Sequence, residues 1–458
     1  MTPMLGGILA YVALQLAIGF VVSRRVHSED DYLLAGRKLG PLLGFFTIFA
    51  TWFGAETCIG AAGAIYASGL GGGIADPFGY AACLLFMGVV FAVPLWRRGL
   101  TTVGDLFRQR YSPAVERLFA VLVIPTSVFW AAAQIRAFGQ VLAASSATLP
   151  VETAIGIAAA VAVVYTVFGG MLADAVTDLV QGVALLLGLL TIAVLLHIHT
   201  GGLGSALAAT ESARFAMSDA GAGLLAQVEA WAIPICGSVL AQELVARVLA
   251  IRSPALARGA AVSASALYLT VGLIPVTIGI LGPSLVPEID HPEQILPRVA
   301  AELLSEGWYI LFAGALVSAI LSTVDSALLA AASLFSHNLL LSLRPATSEV
   351  VKVRMARAGV MVFGTIAYVM AMHAEGVYAL VEEASAFGSA GVFVVGAAAL
   401  FSRFGGPRAA ASSLIAGAAM YGYGAYHAGW ETPYLASLFG SAVVYTVVAM
   451  LEPRRGCR

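Results

Sequence analysis

Ala319-Ile320-Leu321-Ser322-Thr323-Val324-Asp325-Ser326 is a polar knot inside an apolar run that extends from 302 to 341. Four hydroxyl or carboxyl groups fall within five positions, 322–326. The surrounding run has the length and apolarity of a helix that crosses a bilayer. One serine or threonine in such a helix bonds the carbonyl four residues back at little cost. That accounts for a single residue, not for four together. Oxygen groups this dense at membrane depth suit a hard cation such as Na+.

The rest of the chain is of the same kind. Of 458 residues, 60% are hydrophobic and only 11% are charged, where a soluble protein carries about 25% charge. The composition predicts an all-α polytopic membrane protein in one domain, 1–458, with the lipid bilayer as its solvent and no nucleic-acid partner. About thirteen spans are expected: 5–22, 41–68, 74–95, 114–145, 152–168, 172–197, 225–251, 261–281, 302–341, 355–372, 377–401, 409–427 and 433–451. No alternation of period two appears, which excludes a membrane β-barrel. Cys58, Cys83 and Cys236 lie in apolar segments and Cys457 near the end, and no pair has metal-ligand spacing. The opening Met-Thr-Pro-Met-Leu lacks the basic region of a cleaved signal peptide.

Charge placement gives an orientation. Arg24, Arg25, Arg37 and Lys38 follow the first span; Arg97, Arg98, Arg108, Arg110 and Arg117 follow the third. Arg247, Arg252 and Arg258 surround the end of the seventh. Arg344, Lys352, Arg354 and Arg357 follow the ninth, Arg403 and Arg408 the eleventh, and Arg454, Arg455 and Arg458 the last. All of these fall on one side, 21 of the 24 basic residues. Arg214 and Arg298 fall on the other, and Arg136 lies within a span. The positive-inside rule then predicts an outside N-terminus and a cytoplasmic C-terminus in the plasma membrane. The turn Gly169-Gly170 is the one cytoplasmic loop with no basic residue.

Spans two to six start inside and spans seven to eleven start outside, so two sets of five helices are inverted relative to each other. The core repeats are expected at 41–198 and 225–401, with peripheral helices at 5–22, 409–427 and 433–451. In each set the third helix is the longest and the first is interrupted. The second span carries Trp52-Phe53-Gly54-Ala55-Glu56, and the seventh carries Pro234, Gly237 and Gln242-Glu243. Broken helices at matching positions of two repeats point to a solute site at the membrane midplane.

Three stretches together resemble the sodium:solute symporter family: Asp31-Tyr32-Leu33-Leu34-Ala35-Gly36-Arg37; Tyr165-Thr166-Val167-Phe168-Gly169-Gly170-Met171 with Thr177-Asp178 and Gln181; and Leu321-Ser322-Thr323-Val324-Asp325-Ser326. The likeness covers spans one to eleven. It implies a LeuT-like 5+5 inverted repeat, with one helix before the core and two after it. It also implies a co-transported Na+ between the second and ninth spans. The implied ligands are the carbonyls of Ala50, Phe53 and Ala319 and the hydroxyls of Ser322 and Thr323. A break near Trp52 frees carbonyls that need a partner, and neutral oxygens around a monovalent ion leave no uncompensated charge. Asp178 matches a family carboxylate on the ion path; its competing reading is a solvated charge near a helix N-terminus.

Ala50-Thr51-Trp52-Phe53-Gly54, Pro77-Phe78-Gly79-Tyr80 and Phe129-Trp130-Ala131-Ala132-Ala133 further resemble the high-affinity choline transporter branch. That likeness implies an aromatic cage for a quaternary ammonium at Trp52, Tyr80 and Trp130. Ala241 and Val381 stand where the branch has two more tryptophans. Glu56, Glu243, Glu382 and Glu383 are acids within or at the ends of spans, and Arg136 is a candidate partner for one of them. The reading is a Na+-coupled symporter of a small organic solute, choline or another cationic amine first. The alternatives are an amino acid or monocarboxylate symporter and, more remotely, a solute sensor or channel. No Walker, nucleophile-elbow or dinucleotide-binding pattern appears, so an enzyme is not expected.

Overall fold

The computed structural model describes residues 3–23, 28–146, 148–168, 171–217, 223–341 and 348–452. Of the features read above, Arg24, Arg25, Gly169-Gly170, Arg344, Arg454, Arg455, Cys457 and Arg458 lie outside the described residues. Among the described residues there is no strand, only one bridge that pairs Leu39 with Ile251.

Each expected span is helical, whole or broken. In chain order they are α1 (Pro3–Ser23), α2 (Pro41–Ala50 and, after a break, 56–68), α3 (Ala75–Arg97), α4 (Pro113–Ala144), α5 (Val151–Phe168), α6 (Met171–His199), α7 (Leu224–Gly237 and Gln242–Ala250), α8 (Pro254–Leu285), α9 (Glu306–Leu340), α10 (Glu349–His373), α11 (Val377–Ala386 and Ser389–Phe401), α12 (Pro407–Tyr423) and α13 (Pro433–Leu451). By length and composition seven of them can cross a membrane unaided, or nine counting the bent pairs in α7 and α11, among the described residues.

Local chemistry sets the starts. Proline opens α2, α4, α8, α12 and α13, where its missing N–H costs nothing. Ser112 and Ser253 accept from the amides of Val115 and Leu256, each at 3.3 Å, capping α4 and α8. Several boundaries depart from expectation, α10 among them, which begins at Glu349 rather than 355. α8 begins at Pro254 rather than 261, because that serine–proline start extends it past the apolar stretch. α9 begins at Glu306, since 304 is extended and Ile295–Leu303 is a separate helix. α11 is not one rod: Gly388, at φ +67°, bends it by 43°.

α9 is the axis of the bundle. Its most apolar window is 100% buried in protein, against 28% for α13. A helix apolar all round belongs in a core, and one apolar on a single exposed face belongs against lipid. The packing repeats between the two sets of five. α6 lies against α9 as α11 lies against α4, α2 against α8 as α7 against α3, and α4 against α5 as α9 against α10. At one end of the bundle arginines staple loops to helix ends. Arg37 donates to the Leu100 carbonyl (2.6 Å), Arg98 to Ala399 (3.3 Å), and Arg110 to Phe404 and Gly405 (3.2 and 3.1 Å).

Candidate functional site

The break in α2 faces the polar knot of α9. A Cβ on Gly54 would lie 3.6 Å from the Ala319 methyl, so the two backbones run in close contact there. The Thr323 hydroxyl sits between two carbonyls, 3.3 Å from Ala50 O and 3.2 Å from Ala319 O. It has one hydrogen and can satisfy only one of them at a time. Ala50, Ala319 and Thr323 are thereby brought together directly. Phe53 is fully buried at the same break, its ring stacked on Phe49 at 4.6 Å. The Ser322 hydroxyl is turned one step away and donates to Asp178 Oδ1.

Asp178 is fully buried in α6, which removes its reading as a solvated helix-end charge. Its Oδ2 accepts from the Thr47 hydroxyl at 2.6 Å and lies 3.7 Å from the Arg247 guanidinium. Arg247 also donates to Thr47 Oγ1 (3.1 Å) and Ser326 Oγ (2.6 Å), and Ser326 reaches Asp174 at 3.4 Å. Arg247 therefore does not belong among the loop charges counted for orientation. It is fully buried, and every residue of Gln242–Ala250 is buried with it. A buried arginine needs a carboxylate, and Asp178 supplies one across the bundle. The available hint was an uninterrupted apolar frame around a charge; what was missing was the fold that brings α6 to it.

The three cage candidates meet at the same break. The Trp52 and Trp130 rings stack at 5.7 Å with planes 14° apart, and Tyr80 stands 5.2 Å from Trp52 and 5.9 Å from Trp130. All three are buried. The Tyr80 hydroxyl meets Ser385 Oγ at 2.8 Å, and Ser385 meets Ser238, in the break of α7, at 2.9 Å. The broken helices of both repeats and the bent α11 are thus joined through side chains that sequence reading did not single out. Trp130 borders a crevice of about 330 Å3 shared with Ser238 and Ala241; Tyr80 borders another of about 540 Å3 with Tyr378 and Glu382. Val381 is buried in α11 and lines neither crevice.

The remaining acids separate. Glu56 accepts from the Gln134 amide. Glu243 accepts from Ser127 at 2.6 Å. Glu383 accepts from Tyr421 at 3.2 Å and from Tyr426. Arg136 pairs with none of these. It lies 3.5 Å from Glu293, in the connection between α8 and α9, and donates to the Ala371 carbonyl at 3.2 Å. Glu293 lies in a connection, not within or at the end of a span as the candidate partners of Arg136 do. His337 lies 3.5 Å from Asp105.

Comparison with known proteins agrees with this architecture. The sodium:solute symporter family model matches residues 32–417. The high-affinity choline transporter 1 of Drosophila melanogaster is 30% identical over 410 residues, 81% of this chain and 62% of that protein. Its counterpart in Homo sapiens is 30% identical over 373 residues, 77% of this chain and 63% of that protein. The chain thus spans about three fifths of the length of these relatives. The sodium/proline symporter of Escherichia coli is 30% identical over 213 residues, 45% of this chain and 42% of that protein. In structure the chain resembles a Na+-coupled sialic acid symporter in a substrate-bound outward-open state, with TM-score 0.82, 17% identity, and 99% and 98% of the two chains covered. It resembles the nucleobase-cation-symport transporter Mhp1 with TM-score 0.61, 17% identity, and 91% and 92% covered. The chain belongs to the sodium:solute symporter family.

Proposed function

We propose that the protein is a Na+-coupled secondary active symporter that imports a small cationic amine of the choline type. The observation that carries this reading is the convergence of Trp52, Tyr80 and Trp130 on the α2 break, two residues from the Ala50 carbonyl that Thr323 contacts. Na+ takes the carbonyls of Ala50, Phe53 and Ala319 and the hydroxyls of Ser322 and Thr323. It replaces the shared hydrogen of Thr323 as the partner of two carbonyls. Because Ala50 and Trp52 lie on one broken segment, ordering that segment around the ion also sets the ring that faces the solute, which couples the two. Each aromatic face adds ~0.5–2 kcal/mol for a desolvated cation. Asp178, held by Arg247, Thr47 and Ser322, lies on the path by which the ion leaves. The repeats 41–198 and 225–401 rock against one another to expose the site to each side, with the N-terminus outside and the C-terminus in the cytoplasm.

The charge pattern supports a cation over a carboxylate, because Arg136 is engaged with Glu293 and Arg247 with Asp178. The test is uptake of radiolabelled choline, betaine, proline and pyruvate into proteoliposomes with and without an inward Na+ gradient. Choline or a close analogue is expected to accumulate only with the gradient. Na+-driven uptake of an uncharged or anionic solute, with no competition from choline, rejects the substrate class. Uptake indifferent to Na+ rejects the coupling.

A further inference from the structure

Glu56 stands four residues beyond Trp52, and Gln134 four beyond Trp130. The stacked tryptophans are therefore followed, on the same two helices, by a second rung in which the Gln134 amide donates to Glu56 Oε1. Both side chains are fully buried. Glu56 Oε2 and Gln134 Oε1 are also buried, and neither has a hydrogen-bond partner. Two orphaned acceptors side by side in a protein interior are costly unless a donor arrives. The neighbouring carboxylate does not share this condition: Asp76 accepts from Thr57 and Tyr268, each at 2.8 Å.

We infer that Glu56 and Gln134 form a subsite that accepts a hydrogen bond from the solute. The substrate would then be a cationic amine carrying a hydroxyl or N–H group, rather than any alkylated ammonium. This rests on the cationic-solute reading and narrows it. The alkylated nitrogen lies against the rings. The donor group extends along α4 toward Gln134, where one helical turn rises about 5.4 Å; an extended two-carbon amino alcohol together with a hydrogen bond of about 2.8 Å covers that rise. On entry the solute's donor bonds Glu56 Oε2 or Gln134 Oε1; a hydroxyl, with its one hydrogen, satisfies one of the two orphaned acceptors at a time. A site built to satisfy a hydroxyl rejects an analogue lacking it, because the acceptors are then buried unpaired.

The test titrates purified protein in Na+-containing liposomes with choline and with n-propyltrimethylammonium, in which a methyl group replaces the hydroxyl. Tryptophan fluorescence reports binding. Wild type is expected to bind choline about tenfold more tightly or better. In the double variant Glu56→Met/Gln134→Leu the ratio should fall to near one, through weaker choline binding, with the propyl compound changed by less than about twofold. Glu56→Gln should be intermediate. Equal binding of the two ligands by wild type overturns the subsite, even if no variant folds. So does a variant that weakens both ligands alike. Binding of neither ligand to wild type overturns the cationic-solute reading itself, and this inference with it.

Discussion

Arg247 lies against Asp178 with no exposure to solvent, and Ser326 connects it to Asp174. Removing the arginine alone leaves a buried carboxylate without its cation, a change that costs ~3–5 kcal/mol. Arg247→Met should therefore lower the thermal midpoint sharply. Adding Asp178→Asn should recover part of the loss, because no orphaned charge then remains. Equal midpoints for the single and double variants would show that the pair is not what holds α6 to α7. The ion ligands make a separate prediction. Ser322→Ala with Thr323→Ala takes two hydroxyls from the proposed shell, and each hydrogen bond to a charged group is worth ~1.5–3 kcal/mol. The Na+ concentration for half-maximal uptake should rise about tenfold or more. An unchanged value at normal surface expression removes both residues from the ion site. Trp130 can be tried by size and by ring. Phe should keep part of the solute affinity and Leu almost none, whereas equal affinities would mean that Trp130 only packs.

Helix breaks are where backbone geometry and chemistry meet, and they were legible in the sequence to different degrees. The α2 break announced itself through Trp52-Phe53-Gly54 beside an acid, and the α7 break through Pro234 and Gly237. The α11 bend did not. Its only signal is Gly388, one glycine in an apolar stretch, and a positive φ cannot be read from composition. The same limit hid Arg247. It sits a few residues from a helix end, and only the fold, which brings the Asp178 carboxylate of α6 within 3.7 Å of its guanidinium, makes it a buried partner rather than a loop charge. By contrast the α9 knot and the three rings were legible, because polar atoms in an apolar run and paired aromatic motifs stand out without any tertiary information. Gly237 offers a direct test of how tightly the breaks fit. A Cβ there would lie 2.0 Å from the Ser385 carbonyl oxygen, in backbone that cannot yield without moving α11. Gly237→Ala should reduce uptake at least tenfold, by displacing the Ser385 contacts to Tyr80 and Ser238. Gly259→Ala is the control: its Cβ would meet nothing within 4 Å, and replacing a helical glycine there should be neutral or stabilising by ~0.5–1 kcal/mol. Equal effects of the two variants would mean that the close approach has no functional weight.

Taking Arg247 out of the loop tally leaves the charge asymmetry of the molecule standing. Arg37 and Arg110 bind carbonyls of connections, and Arg98 a carbonyl in the last turn of α11, at one end of the bundle. Arg214, from the connection between α6 and α7, instead donates to Ile65, Tyr66, Gly279 and Ile280 at the far ends of α2 and α8. Charges that close loops in this way stay in water or at the interface, so they still report which side each loop occupies. The expectation is that the Arg214 end is outside and the Arg98 end is cytoplasmic. A single cysteine at Glu211 or at Arg252, both exposed, in a background without the native cysteines, can be probed with a membrane-impermeant maleimide. Glu211→Cys should label on intact cells. Arg252→Cys should label only after permeabilisation. The reverse pattern would overturn the orientation, and with it the direction of import. Na+ would then meet the α2 break from the opposite face, and Asp178 would lie on the entry path rather than the exit. Labelling of both sites on intact cells would instead mean that α7 does not cross the membrane between them, and the inverted relation of the two repeats would fail.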